Sequence, residues 1–149
     1  MKSIILVLLI YTCTVLGSKH YVVSKEKATW HDAFNHCKAN GTQLVSVANR
    51  TDYHHLQTFI AKRLNCTEKC AVWIGANDLA TKGTFTWVAT GRRVEFTNWK
   101  PKKKLDNVSK AREEHCIEVL YYLKRSYRWH WRKSECRRKR YYVCEKVHT

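Results

Sequence analysis

Six cysteines constrain the fold of this chain more than any other feature of its sequence. They are Cys37, Cys66, Cys70, Cys116, Cys136 and Cys144. They follow Met1-Lys2, the apolar run IILVLLIYTCTVL and Gly17, a pattern typical of a secretory signal peptide. We therefore expect residues 1–17, with Cys13, to be removed and the protein to be secreted. An even number of cysteines in an oxidising compartment predicts three disulfides, although spacing alone leaves fifteen connectivities open.

Residues 18–149 are expected to form a single domain. This length supports one hydrophobic core, helped by disulfides. No second long apolar run follows the signal peptide, so we expect no membrane insertion. Four N-x-S/T sequons agree with export and predict a glycoprotein. Their acceptor residues are Asn40, Asn49, Asn65 and Asn107.

The first half of the chain predicts two helices. The segment TWHDAFNHCKANG begins with a capping box, Thr29 and Asp32, and then repeats apolar residues at helical spacing. Residues 50–64 predict a second amphipathic helix. On it, His54 and His55 point about 100° apart, so they cannot share a metal ion and are expected at the surface.

The second half of the chain predicts β-strands. Short aromatic or β-branched segments begin at residue 71 and are separated by glycine or charged residues, as in AVWIG, FTWV, CIEVL, YRWHW and YYVC. The fold class is therefore α+β. Residues 98–112 have no clear periodicity, and a loop of that length is usually functional or mobile.

Positive charge is concentrated in this second half. The formal net charge is +16, and residues 100–140 hold 15 Lys or Arg against five Asp or Glu. Such a surface attracts polyanions, for example sulfated glycans, anionic surfaces or nucleic acid; the alternative is a basic surface that only aids solubility. Nucleic acid is the weaker candidate, because export removes the usual targets and no nucleic-acid-binding motif occurs.

The sequence carries no motif of a common enzyme class. It contains no HExxH and no GxSxG motif. Because the six cysteines can all pair in disulfides, none is expected to remain as a free nucleophile. The neighbouring acids Glu113 and Glu114 are better explained as loop residues than as a general acid and base. We therefore predict that the chain is not an enzyme.

The motifs WIGANDL, GTFTWVATG and the ending WRKSEC to YYVCE, with a cysteine on the first helix, resemble the C-type lectin-like domain. The resemblance covers residues 19–146 and is strongest to small secreted arthropod members, which implies recognition in host defence or in a secretion such as saliva. It implies the disulfides Cys37–Cys144 and Cys116–Cys136. Cys66 and Cys70 are additional: they bond each other, or one or both bond a partner chain and give a disulfide-linked dimer in place of a monomer.

In sugar-binding members of that family, a calcium ion is held by a Glu-Pro-Asn or Gln-Pro-Asp triplet and by the Asn-Asp after a tryptophan. The matching positions here are Lys103, Lys104 and Leu105, and Trp131, Arg132 and Lys133. Lysine and arginine offer no lone pair and repel a dication. Some members hold a second, structural calcium ion, and the residual candidates for that site here are Asp78, Asp106 and Glu114. They are too few for calcium, which takes six to eight oxygen ligands. We therefore expect no cofactor.

The same substitutions predict a cationic binding site. Its candidate residues are Lys102, Lys103, Lys104, Arg132 and Lys133 at one end of the fold, and Lys124, Arg125 and Arg128 on the strand and turn leading there. The predicted function is calcium-independent binding of anionic or sulfated glycans or other polyanionic surfaces. The alternative is a protein-interaction module with an immune, clotting or receptor partner. Its anchors would be exposed aromatics from the set Trp99, Tyr121, Tyr122, Tyr127, Trp129 and Trp131, although aromatics at strand spacing are more often core.

Overall fold

A computed structural model describes residues 18–101 and 115–147. Its elements in chain order are β1 (Lys19–Val23), α1 (Trp30–Ala39), β2 (Gln43–Leu44), α2 (Arg50–Arg63), β3 (Lys69–Thr81), β4 (Thr84–Trp87), β5 (His115–Tyr122), a 3-10 turn (Leu123–Arg125), β6 (Tyr127–Glu135) and β7 (Tyr141–Val147). The α+β prediction is confirmed. In the described ranges, no helix is both long enough and apolar enough to cross a bilayer.

The strands form one sheet in the order β1-β7-β3-β5-β6, with β2 paired to β7 and β4 paired to β3. The pairing of β3 with β7 is parallel, and the other strand pairs are antiparallel. The terminal strands therefore meet, since β1 pairs with β7 from Lys19↔Val147 to Val23↔Val143. At the other end of this path, β5 and β6 form a long hairpin.

Both predicted helices are present and are capped by side chains. The Thr29 hydroxyl oxygen accepts the N–H of Asp32 at 3.1 Å and begins α1, as the capping box predicted. Asn49 begins α2 in the same way, with its Oδ1 accepting the N–H of Asp52 at 2.9 Å. His54 lies on the exposed side of α2, as expected.

The sheet separates two hydrophobic clusters. Along β3, Val72 and Ile74 belong to one cluster and Trp73 belongs to the other, because successive side chains of a strand point to opposite faces. Helix α2 packs its buried residues, among them Leu56, into the first cluster, and α1 packs Trp30 into the second. Each helix thus covers one face of the sheet.

Three disulfides link these elements. Cys37–Cys144 joins α1 to β7 across 107 residues of sequence, and Cys116–Cys136 joins β5 to the segment after β6. Cys66–Cys70 closes a short turn before β3. The two pairings implied by the family resemblance are present, and Cys66 and Cys70 bond each other, which is the first of the two alternatives.

Candidate functional site

The start of the long loop is held against the edge of β6. The N–H of Trp131 donates to the carbonyl oxygen of Asn98 at 2.7 Å, and the N–H of Lys100 donates to the carbonyl oxygen of Trp131 at 2.9 Å. Trp99, between them, forms a parallel bridge with Trp131. Two backbone hydrogen bonds therefore fix the position of Trp99 on the sheet.

Trp131 is the centre of an aromatic cluster beneath that segment. Its fully buried ring meets four others edge to face, with centroids 5.6 to 5.9 Å apart. These four are Tyr53, Trp87, Phe96 and Trp99. Edge-to-face packing places the positive ring edge against the negative ring face and fixes the ring orientation. Trp129 and Trp131 are core residues, as expected, whereas Trp99 keeps 37% of its surface exposed.

Lys133 lies over this exposed tryptophan. Its Nζ is 5.9 Å from the centre of the Trp99 ring and 5.1 Å from the centre of the Phe85 ring. The two rings also meet edge to face at 5.8 Å. A cation near the face of an aromatic ring is attracted by the ring's negative face. We call Phe85, Trp99 and Lys133 the Trp99 surface; it combines an exposed ring with a positioned ammonium group.

Arg132, the neighbour of Lys133, points to the opposite face of β6 and is engaged there. Its Nε donates to Oε1 of Glu118 at 2.7 Å, and its Nη2 donates to the same oxygen. Arg140 donates from Nε to the other oxygen, Oε2, at 2.7 Å. Glu118 is fully buried. The sequence analysis did not single out Glu118. Its place inside the apolar run CIEVL is nevertheless a signal, because a carboxylate that is buried with apolar residues needs hydrogen-bond donors beside it.

The remaining candidate cations divide between the far end of the hairpin and the part of the chain outside the described residues. Lys124 and Arg125 are exposed in the 3-10 turn, and Arg128 donates from Nη1 to the Tyr121 hydroxyl at 2.9 Å. The turn precedes the start of β6 at Tyr127, whereas Lys133 lies near the other end of that strand. The turn cations are therefore at the other end of β6 from Lys133. Lys102, Lys103 and Lys104 lie outside the described residues.

Asp78, a residual metal candidate, has both carboxylate oxygens occupied by protein donors. Its Oδ1 accepts the N–H of His115 at 2.8 Å, and its Oδ2 accepts the N–H of Gly83 at 3.0 Å and lies 3.1 Å from Nδ1 of His115. Burial alone would raise the pKa of Asp78, but the hydrogen bonds from Gly83 and His115 outweigh it and lower the pKa. The other two candidates, Asp106 and Glu114, lie outside the described residues.

Three of the four sequons lie in the described part of the chain, and their asparagines are exposed. Asn40 ends α1, where its Nδ2 donates to the carbonyl oxygen of His36 at 2.8 Å. Asn49 caps α2 through Oδ1. Asn65 precedes the Cys66–Cys70 turn, and Asn107 lies outside the described residues. Surface access therefore permits glycosylation at Asn40, Asn49 and Asn65, which stays a prediction.

Residues 26–146 match the family model described as "Lectin C-type domain". The chain belongs to this family of C-type lectin domains. It is 32% identical over 140 residues to C-type lectin mosGCTL-7 of Aedes aegypti, which spans 93% of this chain and 91% of that protein. It is 35% identical over 128 residues to salivary C-type lectin 2 of Aedes albopictus, which spans 85% and 82%.

Solved structures agree with this C-type lectin assignment. The carbohydrate-recognition domain of mouse scavenger receptor C-type lectin has a TM-score of 0.67 and 25% identity, over 92% of this chain and 99% of that one. Human lithostathine, at 22% identity, shares the fold with a TM-score of 0.70, over 88% of this chain and 85% of that one. The family consists of non-enzymatic carbohydrate-binding proteins, which confirms the prediction that the chain is not an enzyme.

Within this C-type lectin domain, the described residues that the family resemblance aligned with calcium ligands are the cations Arg132 and Lys133 and the carboxylate of Asp78. Arg132 and Lys133 present guanidinium and ammonium groups, which cannot replace the water shell of a hard dication. The Asp78 carboxylate already makes three hydrogen-bonding contacts, to His115 and Gly83, which leaves about one of its four lone pairs for another partner. In the described ranges, no three or more His, Cys, Asp or Glu side chains are grouped to hold a metal ion.

Proposed function

We propose that this C-type lectin domain is secreted and binds sulfated or otherwise anionic glycans without calcium, through the Trp99 surface. The observation that carries the proposal is the pairing of an exposed ring, Trp99, with the ammonium group of Lys133 at 5.9 Å from its centre. An exposed ring packs against the apolar face of a sugar, and an ammonium group hydrogen-bonds an anionic substituent. The two together match a charged sugar.

The rigidity of the Trp99 surface supports this proposal. Trp99 is held by its backbone bridge to Trp131 and by edge-to-face contacts with Trp131 and Phe85. A preorganised site loses less conformational entropy when a ligand binds. Lys102–Lys104 follow Trp99 closely in sequence and are expected to add positive charge; this contribution is a sequence-based prediction.

The chemistry of the described donors supports the proposed independence from calcium. In a calcium-dependent site, carboxylates and amides bind the ion and the ion binds the sugar. Here Lys133 carries a positive charge at one of those positions and lies on the Trp99 surface, so an anionic substituent can be bound directly. We therefore propose a direct electrostatic contact in place of a metal bridge.

The relatives support secretion and a role in saliva; a role in host defence rests on the family resemblance alone. The name of the Aedes albopictus protein places that relative in saliva, and the signal-peptide pattern of residues 1–17 predicts export. The mouse domain is named as a carbohydrate-recognition domain. We propose a corresponding extracellular recognition role for this chain.

A protein partner is the second candidate function, because Trp99 is an exposed aromatic and such residues often anchor protein interfaces. The salt dependence of binding separates the two. A contact dominated by cations and sulfates weakens steeply as salt rises, whereas an interface dominated by apolar burial changes little.

The experiment is retention on immobilised heparin, eluted by a salt gradient, for the wild type and matched variants. We expect Trp99→Ala and Lys133→Glu each to elute at clearly lower salt than wild type. The control is Lys38→Glu on α1, because Lys38 also lies over an aromatic ring, Phe34 at 5.4 Å, and the change in charge is identical. Equal shifts for Lys133→Glu and Lys38→Glu would contradict the proposed site.

A further inference from the structure

We propose that Arg132 and Arg140, joined by the buried carboxylate of Glu118, form a second site that binds a single sulfate-sized oxyanion. The site lies on the face of β6 opposite to Lys133, because Arg132 and Lys133 are consecutive residues of the strand. It extends the proposed function, on which the choice of a sulfated glycan as ligand rests. Its geometry is independent of the Trp99 surface.

The shared carboxylate holds both arginines in place. Glu118 accepts three N–H groups, two from Arg132 on Oε1 and one from Arg140 on Oε2. Arg140 also donates from Nη1 to the carbonyl oxygen of Lys139 at 3.0 Å, and its guanidinium lies 6.0 Å from the ring centre of Trp73. Both guanidinium groups are therefore fixed before any ligand arrives, which lowers the entropy cost of binding.

The charges of the three side chains do not cancel. Two guanidinium groups, each positively charged at any accessible pH, meet one carboxylate, so the group keeps one net positive charge. The side chain of Glu118 is 0% exposed, while those of Arg132 and Arg140 are 26% and 21% exposed. An excess charge that is partly removed from water is unfavourable unless a counter-charge compensates it. An anion from solvent would supply that compensation.

The two arginines retain hydrogen-bond donors for such an anion. Each guanidinium group has five N–H bonds. Arg132 uses Nε and Nη2 on Glu118, and Arg140 uses Nε on Glu118 and Nη1 on Lys139. Most of their N–H bonds therefore have no acceptor among the residues that the structure describes. Because both groups touch one carboxylate, they are near enough to bind the same tetrahedral oxyanion by forked, charge-assisted hydrogen bonds.

The nearest acid on the same strand does not compete for these arginines. Glu135 accepts from Nε of Arg137 at 2.7 Å and from Nη2 of Arg138 at 3.2 Å. Its charge is thus matched by its own neighbours.

Sulfate and phosphate groups share the chemistry that this site recognises, and the experiment distinguishes them.

The direct test follows the side-chain Nε–Hε signals of Arg132 and Arg140 by NMR in the wild-type protein. Sodium sulfate, sodium phosphate or a sulfated disaccharide is added at constant ionic strength, balanced with sodium chloride. We expect both signals to shift saturably and with one common dissociation constant for sulfate and for the disaccharide. Saturation by phosphate alone would assign the site to free phosphate and would overturn the proposal that it binds a sulfated glycan. Absent or unsaturable shifts with every anion would overturn the site.

Two variants test the residues. Arg140→Lys keeps the charge but removes the fork, and we expect it to weaken sulfate binding at least about tenfold. Lys139→Ala removes the adjacent exposed lysine and should change sulfate binding by less than about twofold. Unchanged sulfate affinity in Arg140→Lys would refute the proposal. Should Arg140→Lys fail to fold, the wild-type titration still decides.

Failure of this site is distinguishable from failure of the proposed function. If the arginine signals do not respond to sulfate while Trp99→Ala still weakens heparin retention, the second site is wrong and the Trp99 surface remains. If sulfate binds Arg132 and Arg140 while Trp99→Ala and Lys133→Glu leave retention unchanged, the arginine site is supported and the Trp99 surface is wrong.

Discussion

Asp78 accepts the main-chain N–H of His115 at 2.8 Å, so the carboxylate near the end of β3 binds the residue with which β5 begins. The second oxygen of Asp78 accepts the N–H of Gly83 in the turn between β3 and β4. One buried side chain therefore connects the two ends of the segment that contains β4 and the long loop.

Acid should weaken this connection in a predictable direction. The hydrogen bonds lower the pKa of Asp78 in the folded protein below the value near 3.9 of an unfolded chain. Its stabilising contribution is therefore complete above the unfolded pKa and is lost as the pH falls through the folded pKa. Urea unfolding of wild type and Asp78→Asn should show a difference in the free energy of unfolding that shrinks as the pH falls below about 4.

The control for the pH experiment is Glu95→Gln, since the side chain of Glu95 is exposed. This variant removes the same charge without removing a buried acceptor of N–H groups. We expect it to have little effect on the free energy of unfolding at any pH. A constant difference between wild type and Asp78→Asn down to the most acidic pH would contradict the assignment.

The disulfides should differ in their contribution to stability. Cys37–Cys144 spans 107 residues of sequence and Cys66–Cys70 spans four. Chain entropy predicts a loss of about 5 kcal/mol when the long crosslink is removed and about 2 kcal/mol for the short one. Thermal unfolding of the two double-alanine variants checks this order. A larger loss from the Cys66 and Cys70 variant would show that this turn has a structural role beyond loop closure.

Asn49 is the N-cap of α2 and a predicted glycosylation site, and substitutions can separate these two roles. Asn49→Ala removes both the sequon and the N-cap of α2, and we expect it to destabilise the unglycosylated protein by about 1 kcal/mol. Asn49→Ser removes the sequon but retains a capping oxygen, so the loss should be much smaller. Denaturant unfolding of bacterially produced protein measures both variants. Equal losses would exclude capping as the cause.

Local sequence patterns are sufficient to predict features that depend only on residues near one another in the chain. The capping box of α1 and the surface position of His54 follow from spacing alone, and both are present. The length of β2 does not follow from the local pattern: it covers only Gln43–Leu44, although Val45 and Val47 nearby are β-branched. At Val45 the backbone bonds two different strands: its N–H donates to the carbonyl oxygen of Val143 in β7, and its carbonyl oxygen accepts the N–H of Gly75 in β3. Both are contacts between residues far apart in sequence.

The candidate site could not be predicted from local sequence patterns, because it depends on how β6 pairs with its neighbours. The sequence shows Arg132 and Lys133 as adjacent cations but not their partners. Arg132 meets Glu118 because of the register of β5 with β6. Lys133 meets the ring of Trp99 because Trp99 is bridged to Trp131. Strand register depends on contacts across the whole sheet, so one cationic cluster in sequence becomes two separate surfaces.

The central claim, direct binding of an anionic glycan by the Trp99 surface, is tested most directly by calorimetry with a sulfated oligosaccharide. The dissociation constant is measured across a series of salt concentrations, once with calcium and once with a chelator. We predict that affinity falls steadily with salt along the same line in both buffers, and that Lys133→Glu weakens binding in both. Binding that disappears with the chelator, or that is insensitive to salt, would contradict the account.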